Sequence, residues 1–184
     1  HALPWGLRDG FGQPVQPDLG AARVGEPEIV LRLRVALTRM HCHSEQLDEH
    51  LYRLYPGGNA LAGYFMLREF VPGTDALSPD SVLVVANGLL TGAPVSTAAR
   101  FTVAARSPLT GAYGESEAGG YFGPELKAAG YEAIIVTGRA AAPVYLSIRD
   151  ANVEIRDAGG LWGREPEEVQ TAIRAELGDS YVRV

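Results

Sequence analysis

Between Arg100 and Gly138 the chain reads RFTVAARSPLTGAYGESEAGGYFGPELKAAGYEAIIVTG, and its punctuation restricts what can form there. An apolar run, Phe101 to Ala105, gives way to turn residues and then to a glycine-dense loop. Gly123-Pro124-Glu125-Leu126-Lys127 reads as a helix start opening directly from that loop. Proline suits the first helical position because its missing N–H has no partner to lose there. A second apolar run, Ala133 to Thr137, follows. Both runs have the length of strands rather than helices. Glycines ahead of a helix N-terminus let backbone N–H groups approach an anion, and the helix dipole favours negative charge there. On spacing alone the loop is either a phosphate cradle or a tight connection that uses glycine for its left-handed turns.

The rest of the chain reads as short elements of both kinds. Ile29, Leu31, Leu33, Val35 and Leu37 alternate with Val30, Arg32, Arg34 and Ala36, which predicts a strand with one buried face. A second strand is expected from Arg39 to Glu45. Asp48 can cap a helix over Glu49 to Leu54, and Asn59 can cap the next one, whose Leu61, Tyr64, Phe65 and Leu67 fall on helical spacing. Pro72-Gly73 ends it. Further strands are expected at Ser81 to Asn87, Phe101 to Arg106, Ala133 to Thr137, Val144 to Arg149 and Asn152 to Asp157. Pro124 to Ala129 is read as a helix stopped by Gly130. A last helix runs from Glu165-Pro166 to Gly178 with Val169, Ile173 and Leu177 on one face, and Tyr181 to Val184 begins one more strand. Tight turns such as Asp150-Ala151 imply antiparallel pairing. The fold class is therefore α+β: largely antiparallel sheets with a few short helices. Residues 1–27 carry Pro4, Pro14, Pro17 and Pro27 among many glycines and read as an extended or disordered arm; residues 28–184 read as the domain. Leu90-Thr91-Gly92-Ala93 recurs as Leu109-Thr110-Gly111-Ala112, too short a repeat to indicate duplication.

Charge and cysteine usage exclude several classes. A net charge of -6 is the wrong sign for a nucleic-acid partner. No apolar run approaches the roughly 20 residues of a membrane span. No signal peptide is evident at the first residues, and the chain starts at His1 rather than Met. The single cysteine, Cys42, rules out an internal disulfide and a four-cysteine iron–sulfur site, and suits a reducing cytoplasm.

Few residues suggest chemistry by themselves. Arg100, just before a strand and near the glycine loop, can hold a phosphate by two parallel hydrogen bonds or can be an ordinary solvated arginine. Arg106 is open to the same two readings. His41 and His43 share a strand face with Cys42 opposite, but no further ligand accompanies them, and zinc usually takes four. Glu115 and Glu117 have the spacing of paired carboxylates without a companion base or nucleophile. Trp5 and Trp162 are expected to be packing residues.

A series of uncommon words occurs in order: Arg34-Val35-Ala36-Leu37, Leu54-Tyr55-Pro56-Gly57-Gly58-Asn59-Ala60-Leu61-Ala62, Pro72-Gly73-Thr74-Asp75-Ala76-Leu77-Ser78-Pro79-Asp80, Ser107-Pro108-Leu109-Thr110-Gly111, Gly119-Gly120-Tyr121-Phe122-Gly123-Pro124-Glu125-Leu126-Lys127, Pro143-Val144-Tyr145-Leu146, Glu154-Ile155-Arg156-Asp157-Ala158 and Leu161-Trp162-Gly163. In these the chain resembles the N-terminal domain of the aldehyde ferredoxin oxidoreductase family, tungsten- or molybdenum-pterin enzymes. The resemblance implies that Arg100 contacts the bis-pterin cofactor. It also implies that the loop Glu117, Ala118, Gly119 touches the cofactor and helps hold magnesium between its phosphates through backbone groups. Better-known members have asparagine at the position of Glu117, so a direct role for its side chain is not implied. Many have arginine at the position of Asn59.

The family oxidises aldehydes to acids with ferredoxin as acceptor and carries a [4Fe–4S] cluster, whose cysteines lie in later domains absent here. A second, glycine- and arginine-rich pterin loop is expected beyond Val184. The expectation is thus one wall of a tungstopterin or molybdopterin site. Its partners are the remaining domains of the same enzyme, ferredoxin and, if it oligomerises, a second copy; the isolated chain is inactive and without metal or cluster. The alternative is a truncated non-catalytic relative serving as an assembly or interaction module.

Overall fold

The computed structural model describes residues 31–150 and 152–184. The arm read over 1–27, Trp5 and the start of the alternating strand lie outside the described residues. The elements in order are β1 (Leu31–Ala36), a 3-10 turn (Leu37–Arg39), β2 (His41–Gln46), α1 (Glu49–Leu54), α2 (Gly58–Glu69), β3 (Val82–Asn87), β4 (Phe101–Arg106), β5 (Tyr113–Ala118), α3 (Phe122–Ala128), β6 (Tyr131–Thr137), β7 (Val144–Arg149), β8 (Asn152–Asp157) and α4 (Pro166–Leu177). The α+β reading holds.

Six strands form one sheet in the order β2-β1-β6-β3-β4-β5, and β7-β8 form a separate hairpin. Every neighbouring pair is antiparallel except β1 and β6, which run parallel. The sheet is covered on both faces. On one, Leu61, Ala62 and Phe65 of α2 pack on Val84, Ala86, Ala104, Ala133 and Ile135. On the other, Leu33, Val35, Leu126, Tyr131 and Ile134 gather Leu146, Ile148, Val153 and Ile155 of the hairpin around them. The alternation in β1 follows from this. Leu33 and Val35 enter the second core, while Arg32 and Arg34 turn to the α2 side, where Glu45 and Glu69 bind them and Arg32 lies over the Phe65 ring.

Along β6 the register slips: Leu31 faces Tyr131 but Arg32 faces Ala133, leaving Glu132 as the extra residue of a bulge. A bulge re-aims side chains, which is how Tyr131 and Ile134 come to share one core.

Five sequence expectations need correction. Asn59 does not cap α2. Gly57 does, and Asn59 lies inside the helix, where its side-chain oxygen accepts a hydrogen bond from the Tyr113 hydroxyl at 2.7 Å. Helix α3 begins at Phe122, so Pro124 is its third residue. Proline is tolerated there because the first four helical N–H groups have no intrahelical partner.

The glycine-dense loop contains a strand, β5, which is an edge strand exposed on most of its length and so shows no apolar alternation. Finally, Tyr181–Val184 forms no strand. Its backbone is engaged by a side chain instead, Arg174 donating to the Val182 carbonyl at 3.0 Å. This segment closes one side of a cleft of about 770 Å³ bordered by Leu126, Leu146, Ile173 and Trp162. Trp162 is 76% exposed at its rim rather than packed.

Candidate cofactor-binding site

The site is assembled where the start of β4 meets the end of β5 and the start of α2. In the β4–β5 ladder Phe101 pairs with Ala118 and Thr102 with Glu117. Directly opposed residues point to the same face. Thr102 is buried, and a methyl group on Gly58 would lie 3.7 Å from its hydroxyl, so this is the face that carries α2. Arg100, two residues before Thr102, belongs to that face too. Its guanidinium is 3.5 Å from a Glu117 carboxylate oxygen, with both side chains half or more exposed. Such a pair is worth little in water, so Arg100 is available to a better anion.

Gly119 and Gly120 continue β5 at the same end. A side-chain methyl on either would meet nothing within 4 Å, and Gly120 has φ +97°. The backbone there is open to a ligand. The structure thus brings Arg100, Glu117, Ala118 and Gly119 to one corner.

The start of α2 is held against this corner by glycines. Gly57 (φ +72°) bridges to Gly88, and a methyl group on it would stand 2.5 Å from the Asn87 carbonyl oxygen. No acidic side chain sits in the first turn of α2 and no side chain caps it. The N-terminal N–H groups and dipole of α2 therefore favour negative charge at this corner. Thr91 fixes the backbone of Arg100 from below. Its hydroxyl donates to the Arg100 carbonyl and accepts from the Gly88 N–H at 2.9 Å.

Other sequence candidates are occupied elsewhere. Arg106 sits at the far end of β4, donates to the carbonyls of Gly111 and Thr74, and covers the Phe70 ring. Those ties hold it at the opposite end of the β4–β5 ladder from this corner. His41 and His43 stack at 5.5 Å, and His43 bonds Glu45 at 2.9 Å. Cys42, on the opposite face, reaches the Val153 carbonyl of the hairpin. Among the described residues no group of three or more His, Cys, Asp or Glu could hold a metal ion, and no helix is long and apolar enough to cross a membrane.

Residues 32–184 match the family model described as aldehyde ferredoxin oxidoreductase, N-terminal domain. The chain belongs to the aldehyde ferredoxin oxidoreductase family. The tungsten-containing aldehyde ferredoxin oxidoreductase of Pyrococcus furiosus is 43% identical over 152 residues, covering 83% of this chain and 25% of the relative. That of Thermococcus kodakarensis is 41% identical over the same length. The WOR-like subunit of an aliphatic sulfonate oxidoreductase from Pyrococcus furiosus is 33% identical over 148 residues, 79% of this chain and 23% of the relative.

Among solved structures, the active site complex BamBC of benzoyl coenzyme A reductase, with 1,5-dienoyl-CoA, superposes with a TM-score of 0.80 at 35% identity, over 82% of this chain and 23% of that one. The chain therefore spans about a quarter of the length of the family relatives it matches. Within the family, the words that signalled the resemblance acquire places. Gly57-Gly58 starts α2, Gly119-Gly120 is the open turn after β5, and Glu125-Leu126-Lys127 is the body of α3.

Proposed function

We propose that this domain forms one wall of a bis-pterin site in a tungsten-dependent (or molybdenum-dependent) oxidoreductase that converts aldehydes to acids with ferredoxin as acceptor. The observation that carries the reading is Arg100: an exposed guanidinium, held by its backbone and only weakly paired, beside open glycine backbone and a glycine-started helix. That is a donor set suited to a phosphate ester. The relatives' names supply the tungsten. The bound pterin-metal group would supply the two-electron chemistry of the aldehyde-to-acid step.

The chain's own residues have simpler tasks. Arg100 would take a phosphate oxygen pair. The backbone of Ala118 and Gly119 would approach the pterin, and carbonyls at the end of β5 would hold magnesium between the phosphates. The Glu117 carboxylate would repel a phosphate but attract that cation. The [4Fe–4S] cluster, ferredoxin contact and catalytic groups belong to other parts of the enzyme. The relatives named for aldehyde and for sulfonate, and the neighbour named for benzoyl coenzyme A, share this domain. Substrate choice therefore sits outside what they have in common here.

The test is the pterin content of Arg100→Ala in the natural protein, measured at equal protein. A charge-assisted hydrogen bond contributes about 1.5–3 kcal/mol, a ten- to hundredfold weakening when removed. Arg100→Lys should recover part of it, because an ammonium lacks the two-pronged geometry. Pterin content equal to wild type in Arg100→Ala would reject the assignment and leave Arg100 an ordinary surface arginine.

A further inference from the structure

Lys127 and Glu132 form an ion pair that the site as described does not use. Glu132 is 3% exposed and lies on the β6 bulge, which turns its carboxylate toward α1 and α3. There it accepts from the Tyr52 hydroxyl of α1 and from the Lys127 ammonium, 3.2 Å away on α3. The ammonium reaches two further acceptors, the carbonyls of Leu89 at 2.9 Å and Gly88 at 3.3 Å. An ammonium has three N–H groups, and here they meet three acceptors on two elements.

Gly88 is the junction. Its N–H is shared between the Thr91 hydroxyl at 2.9 Å and the Arg100 carbonyl at 3.3 Å, and it bridges to Gly57 at the start of α2. Thr91 donates its own proton to the same Arg100 carbonyl. Glycine at 123 lets α3 close on this turn: a methyl group there would come within 3.0 Å of the Thr91 methyl. One connected path therefore runs from a buried carboxylate through Lys127, the Gly88–Thr91 turn and Thr91 to the backbone of Arg100.

We propose that Lys127, Glu132 and Thr91 are positioning residues for Arg100: the buried pair clamps the Gly88-Leu89 carbonyls, and Thr91 passes that constraint to the backbone from which the guanidinium projects. This rests on the reading of Arg100 as a phosphate ligand. Desolvating a charge pair is costly and rarely stabilises more than apolar packing would. A pair whose cation spends two of its N–H groups on a turn beside the site has a geometric return for that cost. Among the described residues the exposed Arg100 side chain makes one polar contact, the long one with Glu117, so its direction rests on its backbone.

The experiment is a double-mutant cycle on pterin content and retention in the natural, cofactor-loaded protein. Its variants are Thr91→Val, Thr91→Ser and the charge-neutral pair Lys127→Met with Glu132→Gln, each with and without Arg100→Ala. Loss of the neutral Thr91–Arg100 hydrogen bond predicts roughly fivefold weaker retention for Thr91→Val, and the pair variant, which removes the ammonium's bonds to the Gly88 and Leu89 carbonyls, should weaken retention at least as much. Thr91→Ser should restore retention because it keeps the hydroxyl. In the Arg100→Ala background the same changes should cost nothing further, since residues acting through one group are non-additive. Hydrogen exchange on cofactor-free protein should quicken across 87–101 in both variants and stay unchanged in β1 and β7.

Retention at the wild-type level in Thr91→Val, or an undiminished loss in the Arg100→Ala background, overturns the proposal while leaving the role of Arg100 standing. Wild-type retention in Arg100→Ala alone removes the phosphate role of Arg100 and the proposal together. If the pair variant fails to fold, the Thr91 pair of substitutions decides by itself.

Discussion

Gly57 is the position where the site's geometry is most exposed to a single methyl group. Its backbone has φ 72° and ψ -176°, a region that essentially only glycine occupies, and another residue there costs about 1–3 kcal/mol in strain. The added Cβ would also stand 2.5 Å from the Asn87 carbonyl oxygen and 2.9 Å from the Leu89 nitrogen. Both are backbone atoms of the turn that joins β3 to the start of β4, so neither can rotate away. Forcing them apart adds on the order of 1–3 kcal/mol, as overpacking does elsewhere. Gly57→Ala should therefore cost about 2–6 kcal/mol, the sum of those two effects, and lower Tm by roughly 2–4 °C for each kcal/mol in a domain of this size.

Two controls separate the contributions. Gly73 has φ +85° with nothing within 4 Å, so Gly73→Ala carries strain alone and should cost about 1–2 kcal/mol. Gly63 lies in α2 in open space, and Gly63→Ala should stabilise by about 0.5–1 kcal/mol through helix propensity. The assay is thermal and denaturant unfolding of the three variants. If Gly57→Ala shifts Tm no further than Gly73→Ala, the close approach of α2 to the Gly88 turn is wrong, and with it the placement of α2 at the corner.

The remaining expectations are smaller in scope. Arg100→Ala should change unfolding free energy by no more than about 0.5 kcal/mol, because its one ion pair among the described residues is exposed and long; a larger loss in denaturant titration would mean the side chain is structural. Burial would raise the Glu45 carboxyl, but hydrogen bonds from Arg34, His43 and Arg32 outweigh it and hold it at about 2. Its folded value is below the unfolded one, so its contribution is complete above about pH 4.5 and is lost as pH falls toward 2. Glu45→Gln should flatten that part of the acid-unfolding curve. Burial and the neighbouring Glu115 push the Tyr113 phenol up to about 12. Its contribution holds below about pH 10 and fades above it, and the tyrosinate absorbance titration should lose its highest-pH component in Tyr113→Phe.

The elements that could be read from the sequence are those whose signals are local. Asp48 marks the start of α1 because its carboxylate accepts from the Leu51 N–H at 2.9 Å, a contact within one helical turn. Strands β4, β7 and β8 have the bounds their residue types suggest. What could not be read depends on neighbours far along the chain. β5 lacks an apolar face because it is a sheet edge, so Gly114-Glu115-Ser116-Glu117 reads as loop. The parallel pairing of β1 with β6 joins residues some hundred positions apart, and no local pattern encodes it. Asn59 has a good capping side chain but spends it on Tyr113, which only the arrival of β5 makes available. In the site, Arg100 was visible through family wording. Its neighbour Thr91 was not: a threonine in a Leu-Thr-Gly-Ala turn gives no sign that it is buried against the Arg100 carbonyl, while Thr110 in the matching turn bonds only its own loop.

If the corner binds a phosphate as proposed, the Arg100–Glu117 pair would let it serve with and without the anion. Unliganded, the carboxylate gives the guanidinium a partner at 3.5 Å, worth up to about 1 kcal/mol in water. A phosphate would offer two charge-assisted bonds of about 1.5–3 kcal/mol each to the same planar group, so the guanidinium would follow it. Glu117 is then left as a carboxylate beside a phosphate, an arrangement that is unfavourable unless a divalent cation lies between them. The register that places Glu117 opposite Thr102, and so on the face of the α2 N-terminus, also places it where that cation would be held. A neutral amide at this position would have removed the repulsion without a metal. On the proposed reading, the carboxylate would instead tie phosphate binding by Arg100 to magnesium, with the backbone of Gly119 and Gly120, where an added Cβ meets nothing within 4 Å, open beside it.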